Sequence, residues 1–461
     1  MISLKNIDKP LLLLLGGAVL IKLAFAVPVF LDPSRALACT DAFFYSRIAH
    51  NLLSGNGFSM CSQAPYNPDS TVAPGYPFFL AGIFALFGNS QIAVILIQII
   101  LDLVLLFVFY NFLKKRFGQK IALLTGIIFI LDVNLSIYVN QLTSEALFTT
   151  LFIPALIMIL ASGEEKGFLP AVWAGLLLGA ATLVRPVILY FGVSLLLFFI
   201  LTRLSWRKLA KLGIIVGLQF VLLVPWVVRN RIVFNENVFS TVSQTNLVRY
   251  HAAPLKAYLE HKTREQAQQE IEEAALGDRT GLNEVGYLNS VAGEASRYIL
   301  KHPVPYIGAA FVGGLGSLIY PLPLHETGVY LEGQRPPPPG SIVVDLLSDL
   351  TKGRIGEVIK RLWQERLLYY GILTAVLFII YGLFHLAKLA FGLRAYIVSV
   401  FKDPFMILSL ITGVYFLGLL GLAVVPRMRV PVEPLLLSLA GIGLFAKKGE
   451  KKDQKKAGNE K

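Results

Sequence analysis

Charge is scarce in this sequence. Asp, Glu, Lys and Arg make up 15% of its 461 residues, against about 25% in a typical soluble domain. With 55% of residues hydrophobic, that scarcity excludes a string of soluble domains. It excludes disorder as well, because a disordered chain needs low hydrophobicity. Cysteine is nearly absent: Cys39 and Cys61 stand alone, and two cysteines by themselves do not make a metal site. The sequence also has no Gly-rich phosphate loop, no His/Cys cluster and no Ser-His-Asp arrangement, so the usual signatures of nucleotide binding, metal ligation and serine hydrolysis are missing.

What the chain has instead is long apolar runs. A membrane span needs about 20 mostly apolar residues, and ten runs approach that length, at 10–30, 91–113, 121–138, 142–161, 168–186, 187–201, 209–228, 367–387, 404–424 and 432–446. The pattern predicts an all-α polytopic membrane protein. Its 42 Lys+Arg against 29 Asp+Glu give a formal charge of +13, which on a soluble chain would raise nucleic acid as a partner. Here the basic residues sort by loop. On alternate loops lie Lys5, Lys9, Lys114, Lys115, Arg116, Lys120, Lys166, Arg203, Arg207, Lys208, Lys211, Lys388, Arg394, Lys402 and seven lysines of the 447–461 tail, about 21 of the 42. The short loops of the opposite side hold Arg35, Arg47, Arg185, Arg427 and Arg429. This asymmetry places both termini in the cytoplasm, in keeping with an even number of spans, and nucleic acid is not needed to explain the charge. The first apolar run follows Lys5 and Lys9 and contains Ala24-Phe25-Ala26. Its full span length makes it a membrane anchor rather than a cleaved signal core, the alternative reading.

The chain therefore divides into an N-terminal membrane module (1–229) with a first outer segment at 31–74, an outer-face region (230–366), C-terminal spans (367–446) and a basic cytoplasmic tail (447–461). The outer-face region carries polar helical stretches at 255–276 and 283–301 and an apolar, Gly- and Pro-rich run at 304–321, read as interfacial or re-entrant. A stiff proline-rich linker follows at 335–340. Cys39 and Cys61 both fall in the first outer segment, where an oxidising exterior would join them in a loop-closing disulfide; two unpaired thiols are the alternative.

Candidate chemistry gathers on the outer side. Asp41 heads a stretch with Phe44, Ile48 and Leu52 at helical spacing, the pattern of an amphipathic helix lying on the membrane surface, although an Asp there can also be a simple N-cap. Pro74-Gly75-Tyr76-Pro77 is a turn signal that opens a second surface helix. Glu145 stands at the outer end of the fourth run, where an ionisable residue is costly unless it faces a polar cavity or a partner. Arg185, Arg229, Arg231, Arg427 and Arg429 end spans on the same side. Singly each reads as an interfacial anchor; converging beside two carboxylates they suit an anionic group such as phosphate. Tyr45, Tyr76 and His251, which follows Tyr250 in the outer loop, join them as substrate-binding candidates. Lys22 and Asp102 lie near mid-membrane and read as a structural ion pair in preference to a transport site.

Taken together these strings resemble a known family. Asp41 before a surface helix, Asn51-Leu52-Leu53-Ser54-Gly55-Asn56-Gly57-Phe58, and Ala73-Pro74-Gly75-Tyr76-Pro77-Phe78-Phe79-Leu80-Ala81 are similar to GT-C membrane glycosyltransferases. The narrower likeness is to the glycosyltransferase family 39 type: dolichyl-phosphate-mannose protein mannosyltransferases and bacterial aminoarabinose lipid A transferases. Phe87-Gly88-Asn89-Ser90 with Gln98, Ser144-Glu145-Ala146-Leu147-Phe148, Ala181-Thr182-Leu183-Val184-Arg185-Pro186, Pro225-Trp226-Val227-Val228-Arg229-Asn230 and Arg427-Met428-Arg429-Val430-Pro431-Val432-Glu433-Pro434 extend the resemblance. It covers about residues 10–250 and resumes near the C-terminal spans.

The resemblance implies a GT-C fold, a polyprenyl-phosphate sugar as donor, and a protein, lipid or glycan acceptor on the outer face of the cell membrane. It implies one sugar transferred with inversion, with neither metal nor other cofactor. Asp41 then matches the family's acidic residue of the first outer loop, the general base or a group that positions the acceptor, and Glu145 the second acidic position, which would orient acceptor or donor. Where the family often has a basic residue before the Pro-Gly-Tyr-Pro string, this chain has Val72 and Ala73; Arg185, Arg229, Arg427 and Arg429 remain to bind the donor phosphate. Two other readings stay open. A transporter or lipid flippase would line a pathway with Lys22, Asp102 and Glu145, though no related halves are visible. A polymerase or ligase of surface polysaccharide would share lipid-linked substrates.

Overall fold

The computed structural model describes residues 8–276, 283–333, 353–360, 369, 371–399, 403–419, 421–422, 424 and 426–445, and every regular element among them is helical. The proline-rich linker at 335–340 and the tail at 447–461 lie outside these residues.

Short polar side chains set many of the helix starts by accepting the first free backbone amides. Asp8 accepts from Leu11 to open α1 (Lys9–Leu31). The two surface helices follow as α2 (Thr40–Leu53) and α3 (Gly75–Phe87). Ser90 opens α4 (Gln91–Phe117), and Lys114, Lys115 and Arg116 occupy its last turn, where cations suit the helix dipole. The third expected span is a bent pair, α5 (Gln119–Leu131) and α6 (Val133–Val139), turning by 57° at Asp132, which caps α6. Then come α7 (Glu145–Glu164), α8 (Leu169–Val184), α9 (Phe191–Leu201) and α10 (Trp206–Phe234).

The region 230–366, expected on the outer face, holds α11 (Val242–Asn246), α12 (Ala253–Glu260), α13 (Arg264–Leu276), α14 (Glu284–Lys301), α15 (Pro303–Ile319), α16 (Leu324–Glu332) and α17 (Ile355–Lys360). Its polar helices share a small core of their own, with Val248, Ala252, Ile271, Val291 and Ala295 packed together. The C-terminal helices are α18 (Ile372–Ser399), α19 (Pro404–Gly418) and α20 (Glu433–Phe445).

Each of the ten expected spans meets a helix or a bent pair. By length and composition, seven helices among the described residues can cross a membrane, or eight counting the bent pair. Three expected spans fall short of crossing alone: α8, α9 and α19 have 16, 11 and 15 residues, against the roughly 20 a span needs. Pro186 separates α8 from α9, since proline cannot continue the hydrogen-bond ladder. In the other direction, the run expected to be interfacial or re-entrant belongs to a stretch, Pro303–Glu332, that does pass the test.

Buried charge holds the helices in register. Lys22 of α1 lies 3.2 Å from Asp102 of α4 with both side chains buried, the ion pair expected from the sequence. A larger knot ties the C-terminal helices to the α5–α6 bend: Lys388 of α18 bridges Asp132 at 2.8 Å and Glu433 of α20 at 2.6 Å, and Tyr381 donates to Asp132 at 2.8 Å. Gly75 marks another close approach. A Cβ there would stand 2.8 Å from the backbone of Leu183 and Val184, so only glycine lets α3 seat against the end of α8, directly before Arg185.

Candidate active site

The site forms where the start of α2, the start of α7, the end of α8 and the buried 3-10 turn Pro426–Val432 meet. Arg427 is its hub. Its Nη2 lies 2.9 Å from Asp41 Oδ2, its Nε donates to Glu145 Oε1 at 2.5 Å, and its Nη1 lies 2.7 Å from Cys39 Sγ. Arg185 Nη1 donates to the same Glu145 oxygen and, at 3.3 Å, to Ser144 Oγ. Two guanidinium groups thus share one fully buried carboxylate. Burying an ion is costly unless such partners compensate it, and Glu145 has two. Asp41 differs: 45% of its side chain is exposed, against 0% for Glu145 and 8% for Arg427. It is the carboxylate that a molecule arriving from solvent can reach.

Aromatic groups wall the cluster. Tyr45 sits 5.0 Å centroid to centroid from Tyr76, edge to face, and its hydroxyl lies 3.5 Å from Ser144 Oγ. Tyr76 donates to Gln98 Oε1 at 2.8 Å, and Gln98 in turn donates to the carbonyls of Val139 and Gln141, each at 2.8 Å. This chain fixes the loop just before Glu145. Burial pushes the Tyr45 hydroxyl and the Cys39 thiol above their ordinary ranges, so both remain protonated at neutral pH.

The structure therefore brings together Asp41, Glu145, Arg185, Arg427, Tyr45, Tyr76 and Cys39. It sets other candidates apart. Arg229 Nη1 donates to the Asp69 carbonyl at 2.9 Å and to Asn230 Oδ1 at 2.8 Å, while its guanidinium packs over Trp226, Phe234 and Phe58. Arg429 lies two residues from Arg427 yet turns the other way. It bonds Glu433 and the carbonyls of Ser317, Leu318, Tyr320 and Pro321, pinning the end of α15. His251 pairs through Nδ1 with the Tyr306 hydroxyl at 2.8 Å, and burial holds its pKa below the ordinary histidine value.

The expected disulfide is not formed; both cysteines are free. Cys39 caps the start of α2, whereas Cys61 is held near its far end, because Asn51 Nδ2 donates to the carbonyls of Ser59 and Cys61 at 2.8 and 2.9 Å. From Cys39 to Asn51 the helix rises about 18 Å, and Cys61, held beside Asn51, stays beyond the roughly 7 Å that a disulfide can bridge. Two neighbours went unseen in the sequence: Tyr138, whose ring lies 5.9 Å from the Arg427 guanidinium, and Glu326 of α16, which accepts from the Tyr138 hydroxyl. Tyr138 is hidden inside an apolar run. Glu326 stands in a region without recognisable motifs, with an acid on a short helix after Pro321 and Pro323 as its only signal.

Comparison with known proteins agrees with this architecture. Residues 71–228 match the family model described as dolichyl-phosphate-mannose-protein mannosyltransferase, a stretch containing Tyr76, Glu145 and Arg185. No curated protein matches the chain in sequence. In structure the chain is similar to the archaeal oligosaccharyltransferase AglB from Archaeoglobus fulgidus, solved with an inhibitory peptide and a dolichol-phosphate. The TM-score is 0.50 at 14% identity, covering 94% of this chain and 50% of that one, so the chain spans half of that protein's length. ArnT from Cupriavidus metallidurans bound to undecaprenyl phosphate gives a TM-score of 0.40 at 14% identity, over 92% of this chain and 76% of that one. The matched segment and the shared helical architecture agree: the chain has the fold of the GT-C superfamily of membrane glycosyltransferases.

Proposed function

We propose that the protein is an integral membrane glycosyltransferase that moves one sugar, with inversion, from a polyprenyl-phosphate donor to a protein, lipid or glycan acceptor on the outer face of the membrane. The observation that carries this reading is the Arg427 bridge between the half-exposed Asp41 and the buried Glu145. The family model over residues 71–228, whose description names a dolichyl-phosphate-linked mannose, supports the donor class. The sparse basic residues of the short outer loops support the face.

The chemistry follows from the roles that these side chains can fill. An acceptor hydroxyl attacks the anomeric carbon, the bond from that carbon to the phosphate oxygen breaks, and the polyprenyl phosphate leaves with the bonding pair. Asp41 takes the acceptor proton, a role that needs a carboxylate within hydrogen-bond reach. Glu145, held by two guanidinium groups, is a poor base; it fixes Arg427 and Arg185 where charge develops on the departing phosphate. Such preset donors gain strength where water is excluded. Arg427 Nη2, now beside Asp41, is the donor that faces the exposed carboxylate. A phosphate that takes this position releases Asp41 to act as base, so donor binding and base activation are linked. The lipid tail stays among the membrane helices while the head group reaches the cluster.

The test is direct. Purified protein in lipid nanodiscs is incubated with radiolabelled polyprenyl-phosphate sugars and membrane extracts containing protein, lipid and glycan acceptors. Label moving to one acceptor class supports the reading. A flippase would move label across the bilayer without transferring it, and a polymerase or ligase would elongate or attach a preformed glycan.

A further inference from the structure

Glu326 of α16 is the one carboxylate near Arg427 that touches neither guanidinium group through a direct bond among the contacts described above. Its two oxygens instead gather the two neutral side chains that do contact Arg427. Oε2 accepts from the Tyr138 hydroxyl, and Tyr138 presents its ring to the guanidinium at 5.9 Å, within the range at which a cation is drawn to an aromatic face. Oε1 lies 3.9 Å from Cys39 Sγ, and Cys39 Sγ lies 2.7 Å from Arg427 Nη1. One carboxylate thus touches both Tyr138 and Cys39, the two neutral groups beside Arg427.

The helix bearing Glu326 is itself firmly tied to the site. Arg35 Nη1 donates to the carbonyls of Leu331 at 2.5 Å and Tyr330 at 3.4 Å, satisfying free acceptors at the end of α16. The Tyr330 hydroxyl donates to the Phe25 carbonyl of α1, and Thr327, Val329 and Tyr330 are buried. Arg35 belongs to the 3-10 turn Pro33–Leu37, which leads directly to Cys39 and Asp41, and the Ala36 carbonyl of that turn accepts from Leu142 N at 2.8 Å, shortly before Glu145. The outer-face region, the first outer segment and α7 are therefore joined around the same guanidinium.

We propose that Glu326 is a positioning residue of the candidate active site, holding Arg427 in place through Tyr138 and Cys39. This rests on the glycosyltransferase reading. It gives the outer-face region, which carries no recognised motif, a part in the chemistry: that region supplies the back wall of the leaving-phosphate site. A guanidinium that must meet a developing phosphate charge tolerates little misplacement, since an error of about 1 Å can cost on the order of a hundredfold in rate.

The experiment compares wild type, Glu326→Gln, Glu326→Ala, Tyr138→Phe and the Glu326→Ala/Tyr138→Phe pair in nanodiscs. Donor and acceptor are titrated separately, and binding of polyprenyl phosphate alone is measured alongside. Glu326→Gln keeps an acceptor for the Tyr138 hydroxyl and should stay within about threefold of wild type. Glu326→Ala should lower kcat/KM for the donor ten- to a hundredfold, weaken polyprenyl phosphate binding, and leave the acceptor KM unchanged. Tyr138→Phe should add little to Glu326→Ala, because coupled groups are non-additive. Normal donor kcat/KM in folded Glu326→Ala overturns the proposal, as do fully additive effects. Equal loss in Glu326→Gln and Glu326→Ala overturns it too, because the charge would then be acting on substrate directly. If wild type binds polyprenyl phosphate but transfers nothing, the glycosyltransferase reading fails, while the Glu326→Ala effect on binding still decides the positioning role. If wild type does neither, both fall.

Discussion

Arg427 Nη2 stands 2.9 Å from Asp41 Oδ2, and the two residues are 386 positions apart in the chain. The same guanidinium reaches Glu145 through Nε. One side chain from the C-terminal spans thereby joins the two acidic positions of the N-terminal module, and its partner on the solvent side is the exposed one.

This pairing predicts opposite effects on binding and on turnover. Asp41→Asn removes the proton acceptor and should lower kcat by about 10²–10⁴-fold. It also removes the anion that competes with phosphate for Arg427, so polyprenyl phosphate should bind several-fold more tightly than to wild type. Titration of the lipid phosphate onto protein in nanodiscs checks this. Weaker binding by Asp41→Asn would show that the carboxylate helps to hold the donor instead of competing with it.

The four candidate arginines should separate by assay. Arg427→Ala and Arg185→Ala should each weaken polyprenyl phosphate binding at least tenfold, since a hydrogen bond to a charged group is worth about 1.5–3 kcal/mol. Arg229→Ala should leave the dissociation constant within about twofold. Arg429→Ala should act on stability, lowering the thermal midpoint, because breaking a buried ion pair costs about 3–5 kcal/mol. Thermal unfolding and lipid binding measured on the same preparations distinguish the two outcomes.

Asp69 predicts a pH dependence in the first outer segment. Burial pushes its pKa up to about 6, with a smaller lowering from the Val72 N–H that its Oδ2 accepts at 2.7 Å. A carboxyl whose folded pKa lies above its unfolded value of 3.8 contributes most stability below pH 4, and the contribution is lost as pH rises through about 6. Above that, wild type carries a penalty of about 3 kcal/mol at 1.36 kcal/mol per unit. Asp69→Asn, which keeps an acceptor for Val72, should therefore be the more stable protein at pH 7.5 and lose its advantage near pH 4. Unfolding midpoints across that range test the sign.

The two thiols give a simpler check. Cys61 is partly exposed and Cys39 buried. Maleimide should label Cys61 in the native protein and Cys39 only after unfolding, with two free thiols counted by mass in the absence of reductant. A single linked species would contradict the geometry of α2.

Much of the site was readable because membrane topology does part of the folding. Once the spans and their orientation are set, Asp41, Glu145, Arg185 and Arg427 are confined to one end of a bundle. The residues that eluded sequence reading depend on direction. Arg427 and Arg429 are two apart in a 3-10 turn, and nothing in composition says that one faces Glu145 and the other Glu433. Arg229 carries the same charge, but it packs against Trp226 and Phe234 beside it in sequence and against Phe58, far away in sequence. Glu326 and Tyr138 become functional candidates only through their shared contact. Helix length at α8 and α9 was hidden for a related reason: hydropathy measures how apolar a run is, whereas Pro186 decides where α8 and α9 part.

The most direct test of the central claim is sugar transfer by wild type and Asp41→Asn side by side, using radiolabelled polyprenyl-phosphate sugars and protein shown to be folded by its thermal midpoint. Wild type should place label on an acceptor, and Asp41→Asn at least a hundredfold less. Transfer by Asp41→Asn at the wild-type rate would contradict that claim.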